Sequence, residues 1–228
     1  MTDQPIRLSR RSLIISGAAM ATGALTSSSP TSLLLPPQRQ GAGKEYAVAQ
    51  KVVAEKPHGS LDPGLFRRAL AALERHSGQI KRRDRMAIID FSAPSSAPRF
   101  HFVDIGGGKT PSLLVAHGSG SDPGHTGFVQ RFSNDFGSNA SSEGAFVSGD
   151  YYVGKHGQSQ RLAGLDSTND NAFGRAIVIH GAWYANADML RTHGKLGRSQ
   201  GCFAVGEKVL ADVFEHLGQG RMIYAARA

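Results

Sequence analysis

The stretch that most constrains this chain runs from Ile177 to Val205. An apolar run, Ala176 to Ile179, stops at His180-Gly181. After a polar, glycine-containing spacer the chain returns as Arg198-Ser199-Gln200-Gly201-Cys202-Phe203-Ala204-Val205. The first run reads as a strand closed by a histidine and the second as a strand opened by a cysteine. Side by side, two such strands carry an imidazole and a thiol to the same edge of a sheet. Cys202 is the only cysteine in the protein. A lone Cys with a His elsewhere is a generic sign of a nucleophile and its base, and the two strand ends make it sharper here.

The rest of the chain supplies the sheet. Leu61 to Ser77 predicts a helix: Asp62 can cap it, Pro63 suits its first turn, and Gly78 offers a stop. Leu65, Phe66, Ala69, Leu70 and Leu73 share its apolar face. Met86 to Phe91, Phe100 to Ile105, Leu113 to Ala116, Ala145 to Val153, Arg175 to Ile179 and Arg221 to Ala225 read as strands between Pro, Ser and Gly turns. Ser119 to Ser142 reads as a long polar loop, and Glu207 to Leu217 as a short amphipathic helix. With 28 glycines, many turns are expected. The periodicity implies a mainly β domain with flanking helices over residues 50–228.

The first 49 residues have a different character. Ser9-Arg10-Arg11-Ser12-Leu13-Ile14-Ile15 resembles a twin-arginine export signal, followed by an apolar stretch, Leu13 to Leu25, too short to span a bilayer. Ser27 to Gly43, rich in Ser, Pro and Gln, reads as a linker, and Ala47-Val48-Ala49 has the small-x-small form of a cleavage site. The expectation is export to the periplasm or cell envelope, with no membrane span beyond a signal anchor. In an oxidising compartment a single cysteine has no internal partner, so chemistry explains it better than burial alone. Net charge is +8, but five of the 26 basic residues precede Gln50. The remaining excess suits an anionic polymer. The one dense basic run, Lys81-Arg82-Arg83-Asp84-Arg85, reads as a solvated helix exit, and nucleic acid is not expected as a partner.

His180-Gly181, a spacer, then Ser199-x-Gly201-Cys202 resembles the catalytic signature of the L,D-transpeptidases of peptidoglycan, the YkuD-like fold. Tyr152-Val153-Gly154-Lys155-His156-Gly157, Asn169-Asp170-Asn171-Ala172 and Arg175-Ala176-Ile177-Val178-Ile179-His180-Gly181 narrow it to the murein L,D-transpeptidase catalytic-domain branch. The resemblance spans Leu61 to Tyr224. It implies a compact β-sandwich catalytic domain that transfers an acyl group between peptidoglycan stem peptides, with no cofactor, and that is acylated by carbapenems. It also implies that a backbone carbonyl, not a carboxylate, orients the histidine. Two positions depart from the usual signature: Gln200 stands where a His is common, and Ala204 where an Asn or Arg is common.

Within that frame Cys202 is the expected nucleophile, its pKa lowered by an adjacent imidazolium, and His180 its proton partner. Gly201 permits a tight turn before the nucleophile, and amides from Gly201 to Phe203 are candidates to receive the oxyanion. Ser199 either bonds within this turn or contacts substrate. Arg175, Tyr152 and Lys155 are candidates for the carboxylates of the stem peptide, the Arg through a bidentate fork. His117 and His156 either line the cleft or are turn histidines, and Trp183 is a candidate wall. The nine histidines show no tight ligand spacing, so no metal is expected.

Overall fold

The computed structural model describes residues 61–107 and 111–228; the export signal, the linker and the cleavage motif lie outside them. The described residues form part of a unit running from Gln40 to Ala228. Its first element, α1 (Pro63–Arg75), begins as its sequence dictates: Asp62 Oδ1 accepts from the Leu65 amide at 2.7 Å, and Pro63 follows the cap. It ends at Arg75, three residues short of Gly78, with His76 as its C-cap. Leu65, Phe66, Ala69, Ala72 and Leu73 are buried; Leu70, expected beside them, is only half-buried.

Nine strands make one sheet, in the order β3-β2-β1-β9-β5-β6-β7-β8-β4. They are β1 (Arg85–Asp90), β2 (Phe100–Asp104), β3 (Ser112–Leu113), β4 (Val115–Ala116), β5 (Gly144–Gly154), β6 (Gly157–Gly164), β7 (Val178–Gly181), β8 (Phe203–Val205) and β9 (Met222–Ala226). The β1–β9 and β7–β8 pairs are parallel and the rest antiparallel. Two helices complete the described unit, α2 (Asp188–His193) and α3 (Leu210–Leu217). No helix among the described residues is long and apolar enough to cross a membrane.

Strand β1 shows how the layers form. Met86 to Ile89 are all fully buried, so both faces of the strand are covered, which is unusual for a mostly antiparallel sheet. Met86 and Ile88 meet the apolar face of α1, together with Val103, Ala145 and Met222. Ala87 and Ile89 face the opposite way, into a core shared with Phe100, Phe146, Ile179, Phe203, Val213 and Leu217. Burial of one such large apolar side chain stabilises the fold by roughly 1.5–3 kcal/mol.

The second core requires the sheet to fold over on itself. Phe203 on β8 lies 6.1 Å from Phe91, just past the end of β1, and 5.3 Å from Phe146 on β5. The stretch Leu113 to Ala116, expected as one strand, is two: β3 pairs with β2 at one edge of the sheet and β4 with β8 at the other. Only Leu114 separates them, so the two edges lie one residue apart and the sheet nearly closes. This is the sandwich-like enclosure that the family resemblance implies.

Two elements have no counterpart in the sequence reading. Strand β6 is polar (GQSQRLAG) and lacks the alternation that marks a strand. It is set instead by its neighbours: β5 and β7 pair with it on either side. The short helix α2 has no buried residue and so no apolar face to betray it.

Candidate active site

Strand parity brings the thiol and the imidazole together. His180 pairs with Ala204, and Ile179 with Phe203, across the parallel β7–β8 ladder. Ile177, Ile179, Phe203 and Val205 point into the large core. Val178, His180 and Cys202 therefore share the opposite face, and all three line one cleft of about 450 Å³. Because the strands are parallel, Cys202 sits diagonally from His180, at the level of Val178. The expected shared edge is thus a shared face.

His180 is fully buried, and its Nδ1 lies 2.9 Å from the carbonyl of Gly181. A carbonyl only accepts, so Nδ1 carries the proton and Nε2 keeps its lone pair. That Nε2 is buried and has no hydrogen-bond partner among the described residues. Burial pushes the imidazole below its ordinary pKa, the Gly181 carbonyl opposes this, and the nearby His156 and Lys155 add to it. The result is a neutral, oriented base with one free nitrogen.

The Cys202 thiol does not point at that nitrogen. Its Sγ donates to the carbonyl of Ala176 at 3.5 Å, and Ala176 holds a left-handed backbone with φ of 55°, strained for a residue with a Cβ. Burial raises the thiol pKa above its ordinary value of 9.0; the Val178 amide, Lys155 and Arg175 pull the other way without prevailing. This corrects the expectation of a pKa lowered by an imidazolium: in the free protein both groups are neutral. Alkylation by iodoacetamide, which needs the thiolate, is therefore expected to climb with pH through and beyond 9. A rate already at its plateau near neutral pH would contradict this.

The turn before the nucleophile is built from Ser199 and Gly201. The Ser199 hydroxyl donates to the Cys202 carbonyl (2.7 Å) and accepts from the Gly201 amide (3.1 Å). Of its two open readings, the bond within the turn is the one formed. The Gly201 amide is thereby committed, which removes it from the candidate oxyanion donors, whereas the amides of Val178 and Cys202 act on the sulfur. Gly201 has φ of 111°, and a Cβ there would lie 2.8 Å from the Ala140 carbonyl; no larger residue fits without moving backbone.

Arg175 lines the cleft but is not a free fork. Nη1 donates to the Ser133 carbonyl and the Ser142 hydroxyl, Nη2 to the Ser138 hydroxyl and the Ala140 carbonyl. It ties down the loop Ser133–Ser142 beside Cys202 and contributes charge rather than a docking fork. His117 is elsewhere: fully buried, it bonds Arg99 and Asp122 and does not line the cleft. Trp183 is 66% exposed and forms no wall. Its neighbour Tyr184 does, its hydroxyl pKa pushed up to about 12 by burial and then by Cys202. Tyr184, Phe136, Asn139 and Arg198 all line the cleft unforeseen. They come from loops and a 3₁₀ turn, which carry no periodic signal.

His156 and Tyr152 do reach the cleft, on the tip of the β5–β6 hairpin. A bulge between Ser148 and Tyr151 bends β5, and Gly154 pairs with Gly157 around the two-residue loop Lys155-His156. The His156 ring stacks on His180 at 4.3 Å and 18°, covering one face of the base. Arg161 lies over the Tyr152 ring at 4.3 Å. Among the described residues three cations, Lys155, Arg175 and Arg198, line the cleft, and no carboxylate does.

The family profile described as the L,D-transpeptidase catalytic domain matches residues 57–226. No curated protein matches the chain in sequence. Among solved structures it is similar to L,D-transpeptidase 3 from Mycobacterium tuberculosis in complex with a faropenem-derived adduct, at 12% identity and a TM-score of 0.39, over 63% of this chain and 60% of that one. An L,D-transpeptidase from Mycobacterium smegmatis matches at 11% identity and 0.39, over 63% and 58%. One from Xylanimonas cellulosilytica matches at 14% and 0.37, over 69% and 68%. The chain spans about three fifths of the length of the two mycobacterial proteins. With the profile covering well over half of its residues, the chain belongs to the L,D-transpeptidase catalytic-domain family.

Proposed function

We propose that the protein is an exported cysteine L,D-transpeptidase that joins peptidoglycan stem peptides by 3→3 crosslinks through an acyl-enzyme on Cys202. The observation that carries this reading is the cleft in which the lone thiol meets a histidine whose free Nε2 is already oriented by a backbone carbonyl. Its cationic lining favours the carboxylates of a stem peptide.

The chemistry follows from the two neutral groups. On substrate binding the thiol leaves the Ala176 carbonyl and gives its proton to His180 Nε2 as sulfur attacks the carbonyl of the third residue, a diamino acid. The oxyanion is received by backbone amides, with Cys202 and Val178 the nearest at the sulfur. The imidazolium returns its proton to the departing amine, and D-Ala leaves. An amine from a second stem then loses a proton to His180, attacks the thioester and frees the sulfur. The twin-arginine-like motif supports export.

Incubation with purified disaccharide-tetrapeptide tests the reading. The expected product is a crosslinked dimer, with one D-Ala released per bond. Release of D-Ala with tripeptide monomer alone would make the protein an L,D-carboxypeptidase, with water in place of the amine. No release at all, and no covalent adduct with a carbapenem, would leave a non-catalytic wall-binding module.

A further inference from the structure

We infer that Lys155 reads the terminal carboxylate of the donor peptide, so that the protein acts on stems ending in a free D-Ala acid. This rests on the transpeptidase reading and adds the group that recognises the leaving residue.

The inference comes from accounting for every cation in the cleft. Arg175 spends all four of its terminal N–H groups on the loop Ser133–Ser142. Arg198 Nη1 donates to the backbone carbonyls of Asp122 and Pro123. Lys155 is exposed, lines the cleft, and has no hydrogen bond or ion pair among the described residues. Among the described residues no Asp or Glu lines the cleft to take its charge. Of the cations there, among the described residues, it is the one with all its side-chain donors free for a ligand.

Its position is fixed rather than floppy at the backbone. The tip is a two-residue loop, closed by the Gly154–Gly157 pair and a left-handed Gly157 at φ 72°. Strand β6 is held on both sides, and the adjoining His156 ring is stacked flat on the buried His180. Only the flexible lysine stem remains to adjust. The Lys155 charge is, after burial, among the causes of the shifts at Cys202, His180 and His156, in keeping with its place on the wall of the cleft that holds both reacting groups.

A terminal D-Ala places its carboxylate in that space. The carboxylate carbon is two bonds from the scissile nitrogen, and that nitrogen must face His180 to receive its proton. A carboxylate there would otherwise meet Arg175, whose terminal N–H groups are all engaged, and Arg198, which is tied down through Nη1. An ammonium at this point rewards a chain end and disfavours a donor whose carboxylate is amidated or extended.

The test compares disaccharide-tetrapeptides ending in D-Ala acid and in D-alaninamide, with the wild type, Lys155→Gln and Lys155→Arg. The wild type is expected to prefer the acid by roughly 10–100-fold in kcat/KM, the range of one charge-assisted hydrogen bond. In Lys155→Gln that preference should shrink to less than about threefold, mainly through a higher KM for the acid, and Lys155→Arg should retain it. An unchanged preference in Lys155→Gln would overturn the inference while leaving the transpeptidase reading intact. A wild type inactive on both donors would overturn that reading and the inference with it.

Discussion

Cys202→Ala is expected to abolish acyl transfer, and His180→Ala to reduce it by roughly 10²–10⁴-fold near neutral pH, the usual worth of a positioned proton acceptor. The two defects should not multiply. Both residues serve one step, so the double variant should be no worse than Cys202→Ala. The dependence of the His180→Ala defect on pH carries the mechanism. In the free protein the thiol is neutral well past neutrality, because burial raises its pKa above 9.0. It therefore needs a base, and among the described residues that line the cleft His180 Nε2 is the buried nitrogen left without a partner. Above pH 9 a growing share of the thiol ionises without help, and the gap between His180→Ala and the wild type should narrow. The opposite state, a thiolate preformed against an imidazolium, would give a gap independent of pH in that range. Single-turnover acylation measured between pH 7 and 10 distinguishes the two. On the acid side, the depressed imidazole pKa keeps Nε2 unprotonated below the ordinary histidine value, so the wild-type acid limb should fall below pH 6.5.

The parts of this site that were legible in the sequence are those that periodicity and residue type encode. The runs Arg175 to Ile179 and Phe203 to Val205 read as strands because their alternate apolar residues face a core, although of the first only Val178 and Ile179 are strand, Arg175 and Ala176 lying in the turn before it. His180 and Cys202 stood out because each interrupts such a run. What the sequence could not give was pairing. Parallel β7 and β8 place the two side chains by parity rather than at a common strand end, and no local pattern distinguishes parallel from antiparallel partners. Leu113 to Ala116 looks like one strand because its residues are apolar, yet its two halves belong to opposite edges. Arg175 and His117 illustrate a second limit. Both are residue types that bind carboxylates, and both are consumed by internal bonds formed only once distant loops have met. The histidine that reached the cleft, His156, does so because a bulge and a tight hairpin carry it there.

Replacing Arg99 by methionine is expected to cost about 3–5 kcal/mol of stability, or about 10 °C in Tm, because the guanidinium closes the sheet. Arg99 is fully buried just before β2, its amide donates to the carbonyl of Leu113 on the edge strand β3, and its side chain reaches across to the other edge, β4. Nε and Nη2 donate to the carbonyl of Val115 on β4, Nη1 to that of Ala93, and Nη2 to His117 Nδ1. His117 Nε2 then donates to Asp122, whose carboxylate also takes the amides of Thr126 and Gly127. Methionine fills the volume but leaves two carbonyls and a ring nitrogen unpaired in the interior. The pH dependence separates this network from simple packing. Burial and then the Arg99 charge hold His117 at about 4. Between that value and 6.5 the unfolded chain binds a proton that the folded one does not, so wild-type stability falls as pH drops through this window. Without Arg99 the His117 pKa rises toward its ordinary value beside Asp122, and the acid loss shrinks. Thermal melts should therefore show a smaller deficit for Arg99→Met at pH 5 than at pH 7.5. A deficit that is constant with pH would assign the loss to packing alone. Because the His117 carbonyl also holds the Ser199 amide at 2.9 Å, the turn bearing Cys202 hangs from the same network. Acyl transfer by Arg99→Met should accordingly fail at the lowered melting temperature, while remaining close to wild type well below it.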